Sequence, residues 1–305
     1  MKKINIANGE VIASEIALGC MRINELTKNE VNTLINTAVE EGINFFDHAD
    51  IYGGGKSEEI FAEALNMSKG LKEKIIVQTK CGIRQGFYDF SKEHILNSVD
   101  DSLKRLNMDY IDVLLLHRPD TLMEPEEVSE AFSKLHNSGK VRNFGVSNQN
   151  PMQIELLNKY LNQKIIINQM QLSVTNTGMI DSGINANTKN SQAIDRDGSI
   201  LEYCRLKDIT IQAWSPFQYG FFEGVFLNND KFTELNKKID EIANLKGVSN
   251  SAIAIAWILR HPAKIQPIVG TTKPNRLKDI CKASQVELTR KEWYEIYLAA
   301  GNVLP

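Results

Sequence analysis

The feature that most limits the fold of this 305-residue chain is the alternation of short apolar runs with amphipathic helical segments. The runs are IALGCM (16–21), INFF (43–46), IIVQTKC (75–81), YIDVLLLH (110–117), VRNFGVS (141–147), IIINQMQ (165–171), ITIQAW (209–214) and IQPIVG (265–270). Between them, helices announce their ends. Thr27 and Glu30 form a capping box ahead of Val31, Leu34, Ile35, Ala38 and Val39, and Gly42 closes that helix. Ser57 reads as the start of a second helix, and Ser91 as the start of a third carrying Ile95, Leu96, Val99, Leu103 and Leu106. Pro125 takes the first helical position of the fourth, with Gly139 just past its end. Strands apolar on both faces belong to a parallel sheet covered by helices. Repeats of roughly 30 residues match one strand, loop and helix. The pattern predicts an α/β fold, a (β/α)8 TIM barrel spanning residues 1–305 as a single domain. The opening MKKINIANGEVIAS reads as an N-terminal β-hairpin turning at Asn8 and Gly9 rather than as a signal peptide. Asn275 and Thr289, the latter boxed by Glu292, open C-terminal helices that add to the barrel, with Trp293, Ile296 and Tyr297 as a packing stripe.

What ends each strand points to chemistry. In chain order the runs from the second onward finish at Asp47, Lys80, His117, Ser147 with Asn148, Gln169, Trp214 and Thr271. Parallel strands in a barrel bring their C-terminal ends to one rim, where such folds carry their sites. A single polar residue there is usually a turn brace; a ligand-capable group on every one of these strands is better explained as a site.

Several classes are excluded. A net charge of −3 offers no basic field for nucleic acid or an anionic membrane, and no apolar run approaches a membrane span. Cys20, Cys81, Cys204 and Cys281 lack disulfide or metal spacing, which fits a reducing cytoplasm; Cys81, beside Lys80, is a candidate incidental reactive thiol. Residues 55–57, GKS, imitate a P-loop end, but Asp50 stands where that motif needs glycine. Tyr52 and Lys56 form a Y-x-x-x-K pair, yet Gly53, Gly54 and Gly55 oppose the helix such a pair requires. Asp47, His48 and His117 lack further histidines at strand ends, so no metal is expected; His94, His136 and His261 read as structural.

The motifs DHADIYGG (47–54), KCGI (80–83), LLLHRPD (114–120), GKVRNFGVSN (139–148) and AWSP (213–216) resemble those of the aldo-keto reductase family, and in particular its bacterial YdhF-like subgroup, over nearly the whole chain. The resemblance implies a catalytic tetrad of Asp47, Tyr52, Lys80 and His117. It implies that Ser147, Asn148 and Gln169 hold a nicotinamide carboxamide, that Trp214 stacks on the ring with Ser215 beside it, and that Thr271 and Arg276, helped by Lys273, hold a 2′-phosphate. NADPH is accordingly expected over NADH. Gly270 and Ile280 depart from the wider family, replacing a phosphate-binding lysine and an adenine-binding side chain. The implied activity is reduction of a small-molecule aldehyde or ketone to an alcohol, by a cytoplasmic bacterial enzyme. The alternative is a cofactor-binding redox sensor, since the family includes potassium channel β subunits.

The residue types suit that chemistry. A free tyrosine has a pKa of about 10, and the Lys80 ammonium is expected to lower it; Asp47 would hold Lys80, and His117 would donate to the carbonyl oxygen. Residues 173–199 are expected to form an active-site lid. Phe217, Tyr219, Phe221, Phe222 and Phe226 are expected to wall an apolar pocket or fold over the cofactor, with some packing as core, and Arg118 and Asp120 to brace their loop.

Overall fold

A hairpin of β1 (Lys3–Ile6) and β2 (Val11–Ser14) leads the chain. Its connection is a 3-10 turn over Ala7–Gly9, with both Ala7 (φ 47°) and Gly9 (φ 102°) left-handed. The computed structural model describes residues 1–67 and 70–305. In order follow β3 (Ala17–Gly19), α1 (Lys28–Glu40), β4 (Phe45–Asp47), α2 (Lys56–Leu65) and β5 (Ile76–Cys81). A small antiparallel pair, β6 (Ile83–Arg84) and β7 (Phe87–Tyr88), precedes α3 (Lys92–Leu106), β8 (Ile111–Leu116), α4 (Pro125–Asn137), β9 (Val141–Ser147), α5 (Pro151–Asn158) and β10 (Ile165–Gln171). After α6 (Gly178–Ile184) and α7 (Ile200–Leu206) come β11 (Thr210–Trp214) and a second small pair, β12 (Gln218–Tyr219) with β13 (Gly224–Val225). The chain ends with α8 (Thr233–Lys246), α9 (Asn250–Leu259), β14 (Gln266–Val269), α10 (Pro274–Cys281) and α11 (Arg290–Ala299).

Eight parallel strands close into a barrel in the order β10-β11-β14-β3-β4-β5-β8-β9. They are the eight runs read from the sequence. Successive strand residues point to opposite faces, and the packing follows that period. Phe45, Val113, Leu115, Ile167 and Ile268 face inward, where Ile4, Ile6 and Ala13 of the hairpin pack against them. Phe46, Val77, Leu114, Leu116, Phe144, Val146, Ile211 and Val269 belong instead to the larger cluster shared with the helices. The hairpin thus plugs the lower end, and Ser14 pins it by exchanging hydrogen bonds with Asn44 at 2.6 and 3.1 Å.

The capping boxes at Thr27 and Thr289 form as read, and Pro125 opens α4. The start of α2 differs: Gly55 (φ 93°) precedes the helix, and Ser57 lies within the first turn, its hydroxyl donating to the Met21 carbonyl at 3.3 Å. Three left-handed glycines in a row, Gly53 to Gly55, aim the chain sharply from the rim into the helix. Among the described residues, no single helix is long and apolar enough to cross a membrane.

Gly145 sits in β9 where a β-carbon would lie 2.5 Å from Leu115 Cδ2 and 2.7 Å from the Ile167 carbonyl oxygen. The second neighbour is strand backbone and cannot rotate away. Gly145→Ala is therefore expected to destabilise the fold by about 1–3 kcal/mol, read by urea unfolding.

Candidate active site

Because side chains alternate along a strand, Lys80 points inward near the end of β5, two residues beyond Gln78, the strand partner of Asp47 at the end of β4. Both are buried, Lys80 completely. Lys80 Nζ donates to Asp47 Oδ1 (2.7 Å), to the His48 carbonyl oxygen (2.7 Å) and to the Tyr52 hydroxyl (3.2 Å). Burial works against the lysine's charge, but Asp47 and Tyr52 more than offset it, and its pKa ends above the ordinary value. Tyr52 goes the other way from expectation. Lys80 does pull its pKa down, yet burial outweighs that pull and the phenol is held above its usual pKa. The site therefore carries Tyr52 as a protonated acid.

His117 follows β8, its backbone N–H donating to the Cys81 carbonyl at 2.9 Å. Its ring stands edge-on to Tyr52, centroids 6.0 Å apart. Burial, then Lys80 and Arg118, push its pKa well below the usual value, so it is neutral at pH 7. His48, unexplained by sequence, is fully enclosed. Its ring nitrogens have no partner, it packs edge-on to Phe61 at 4.5 Å, and burial holds its pKa to about 3. What it contributes to the site is its backbone carbonyl, which receives Lys80.

These groups open into a cleft of about 890 Å³. Asp47, Tyr52, His117, Ser147, Asn148, Gln169, Trp214, Ser215, Thr271 and Arg276 all line it, and Lys80 supports it from behind. Along one wall the Trp214 indole N–H donates to Asn148 Oδ1 (3.1 Å), Asn148 Nδ2 to Ser147 Oγ (2.8 Å) and Ser147 Oγ to the Gln169 carbonyl (2.9 Å). Asn148 (φ 57°) and Ser215 (φ 52°) adopt left-handed backbone to present this wall. The chain of bonds fixes the Trp214 ring plane. A cleft lined by amides, hydroxyls, an indole and arginines fits a nicotinamide dinucleotide.

Some expectations change. Lys273 does not line the cleft; it is exposed at the start of α10. Arg22, which the sequence reading does not single out, lines the cleft and donates to the Gly270 carbonyl at 2.8 Å. It escaped notice because it follows β3, whose apolar run hid the polar residue just beyond. Arg118 does not brace its loop: its guanidinium lies 5.6 Å from both the Trp214 and Phe221 rings, on the cleft wall. Asp120 does brace, accepting from the backbone N–H groups of Phe90 and Leu122. Cys81 is no reactive thiol; it is buried, and burial raises its pKa well above normal. None of residues 173–199 lines the cleft: Ser173 and Thr175 donate to the carbonyl of the cleft residue Gln218, and further along Tyr297 of α11 donates to Asp181 at 2.7 Å and Asn302 meets Thr177 and Gln192. Of the aromatic loop, Phe217, Phe221 and Phe222 line the cleft, Tyr219 packs on Phe232, and Phe226 is core. Among the described residues no cluster of side chains suits a metal.

Behind the tetrad lies a second acidic pair. Glu58, fully buried, accepts from Thr79 Oγ1 (2.6 Å) and Arg105 Nε (2.7 Å). Asp50 has an enclosed oxygen without a partner, and burial, then Glu58, push its pKa up to about 7. Below about pH 4 the folded and unfolded chains both carry this proton. As pH rises towards 7 only the folded chain keeps it, so stability falls across that window. Asp50→Asn is expected to remove that decline, gaining stability over the parent at pH 8 but not at pH 4, measured by urea unfolding at both pH values.

The model of the Aldo/keto reductase family matches residues 15–298. The chain is 38% identical to the uncharacterized oxidoreductase YcsN of Bacillus subtilis, over 98% of both chains. It is 34% identical to a 6-dehydroglucose reductase of Agrobacterium fabrum, over 95% of each, and 32% identical to the oxidoreductase YdhF of Escherichia coli, over 98% of each. The solved structure of the thermostable aldo-keto reductase Tm1743 in complex with the inhibitor epalrestat shares the fold, with a TM-score of 0.79 at 24% identity, covering 98% of this chain and 100% of that one.

Proposed function

The chain belongs to the aldo/keto reductase family, and on that premise we propose that it uses NADPH to reduce the carbonyl group of small aldehydes or ketones, with Tyr52 as the proton donor. The observation that carries this reading is Lys80 Nζ placed between Asp47 Oδ1 (2.7 Å) and the Tyr52 hydroxyl (3.2 Å) at the wall of a deep cleft.

Bound reduced nicotinamide supplies the hydride for the carbonyl carbon. The protein's residues handle the oxygen. Tyr52, protonated at rest, gives its proton to the oxygen as negative charge develops there. The phenolate left behind faces the Lys80 ammonium, whose charge Asp47 balances, and recovers its proton from solvent. Neutral His117, with its proton on Nε2, donates a second hydrogen bond to the same oxygen. The cleft is also lined by Ile51, Ile83, Tyr88, Phe221 and Val225 and by Arg118, a largely apolar set that suits a small carbonyl compound. Arg22, Thr271 and Arg276 all line the cleft, Arg22 bonded to the Gly270 carbonyl, and two guanidinium groups favour a 2′-phosphate over a free hydroxyl. Free buried thiols at Cys20, Cys81, Cys204 and Cys281 suit a reducing cytoplasm.

The test is loss of reduced-cofactor absorbance with aromatic aldehydes, diketones and 6-dehydroglucose, the last because two relatives are named as its reductases. Turnover with NADPH is expected, falling about 10²–10⁴-fold in Tyr52→Phe. A wild-type rate that survives Tyr52→Phe would remove tyrosine from the proton-donor role. For the cofactor, Arg22→Ala and Arg276→Ala are each expected to weaken NADPH binding about tenfold while leaving NADH binding unchanged. Equal losses for both cofactors would count against 2′-phosphate recognition.

A further inference from the structure

Four glutamines project into the barrel interior from four different strands: Gln78 (β5), Gln169 (β10), Gln212 (β11) and Gln266 (β14). All are buried. Resting on the nicotinamide reading above, we propose that Gln78, Gln212 and Gln266 are positioning residues: a one-way hydrogen-bond chain, anchored in the hairpin plug, that turns the Gln169 amide so that its oxygen accepts from a nicotinamide carboxamide.

The direction of the chain follows from its anchor. The Ser14 carbonyl is backbone and can only accept, so the Gln266 group 2.7 Å from it is Nε2. Gln266 Oε1 then faces Gln212 and requires a donor, met by Gln212 Nε2 at 2.9 Å. That leaves Gln212 Oε1 at the other end, where it accepts from Gln78 Nε2 (2.8 Å) and Gln169 Nε2 (3.0 Å). The same two amide nitrogens donate their second hydrogens to Asp47 Oδ1, at 2.6 Å from Gln78 and 3.0 Å from Gln169. Each amide is clamped between two acceptors, and turning either one would set its oxygen against both.

Gln78 shows how firm the clamp is. Its own Oε1 is enclosed and has no partner. An amide free to choose would not strand an oxygen in this way; the acceptors on both sides impose the orientation. The same constraint acts on Gln169, which borders the cleft beside Ser147 and Asn148. Both its amide hydrogens are spent inside the barrel, so Oε1 is the atom it offers a ligand. Gln169 therefore selects a ligand N–H, and the carboxamide NH₂ of nicotinamide supplies one.

Equilibrium binding of NADP⁺ and of its 3-acetylpyridine analogue, in which a methyl group replaces the amide NH₂, tests this through quenching of tryptophan fluorescence. Wild type is expected to prefer NADP⁺ about fivefold to tenfold, the worth of one hydrogen bond. In Gln212→Met and in Gln266→Met the preference should shrink to about twofold or less, with binding of the analogue kept. Gln212→Glu at about pH 6, where burial keeps the acid protonated so that it both donates and accepts, should restore it. Retention of the wild-type preference in both methionine variants overturns the proposal, as does a parallel loss of affinity for both cofactors, which would mean general loosening of the barrel. Absence of a preference in wild type also overturns it. A wild-type protein that binds neither cofactor would instead sink the reductase reading on which the proposal rests, and that is visible before any variant is made. A readout without cofactor guards against misfolded variants: the Gln169 side-chain amide hydrogens, followed by NMR in the wild-type protein, should exchange slowly although the residue borders the cleft. Fast exchange would overturn the clamp directly.

Discussion

Removing the Lys80 ammonium from water is the constraint on which the rest of the site depends. A buried charge is tolerated only when paired and fully hydrogen-bonded, and all three of its partners here come from one short stretch, residues 47–52. Asp47 ends one strand, His48 contributes a backbone carbonyl from the loop that follows, and Tyr52 sits on the glycine turn beyond. Asp47 in turn receives Gln78 and Gln169 on the same oxygen as the lysine. The result is a buried ion pair whose carboxylate is held by inward-facing amides, which reach the hairpin through Gln266 and the Ser14 carbonyl. Losing one partner of such a buried pair leaves an uncompensated charge, which costs about 3–5 kcal/mol in comparable settings.

The same burial sets the resting states of two ionisable groups that line the cleft. Low exposure holds Tyr52 protonated and His117 neutral, while Lys80 stays charged. A protonated phenol beside a permanent cation is poised to release a proton when negative charge forms nearby, and needs no prior ionisation. Burial thus sets the resting state, and the neighbouring ammonium is felt most once the proton has left.

Much of this was legible in the chain. The eight strands follow from apolar runs at regular spacing, the helix starts at Thr27, Ser91, Pro125 and Thr289 follow from local capping chemistry, and the rim residues from Asp47 to Thr271 line one cleft, except Lys80, which is buried behind it. The misreadings share a cause. Nearness to Arg276 in sequence suggests Lys273 as a cleft residue, whereas Arg22, over 240 positions from Gly270, is brought to the cleft by the closure of β14 on β3. Arg118 was taken for a loop brace because nothing local shows that Trp214 and Phe221 lie across from it. The 173–199 segment looked like a lid by length and polarity, but none of it lines the cleft, and its partners include Tyr297 and Asn302 at the far end of the chain.

The buried glutamines mark the boundary most clearly. Each interrupts an apolar strand, and Gln78 and Gln212 stand two residues before Lys80 and Trp214, a spacing that places them on the same inward face. Sequence alone therefore determines the strands, their facing and the identity of the groups at the rim, because these depend on periods of two and 3.6 residues and on capping between near neighbours. Only the tertiary structure decides which amide meets which, how far Tyr52 is desolvated and which arginine reaches the cleft. Those outcomes depend on distances between strands remote in sequence and on the exclusion of water, and both arise only when the barrel closes.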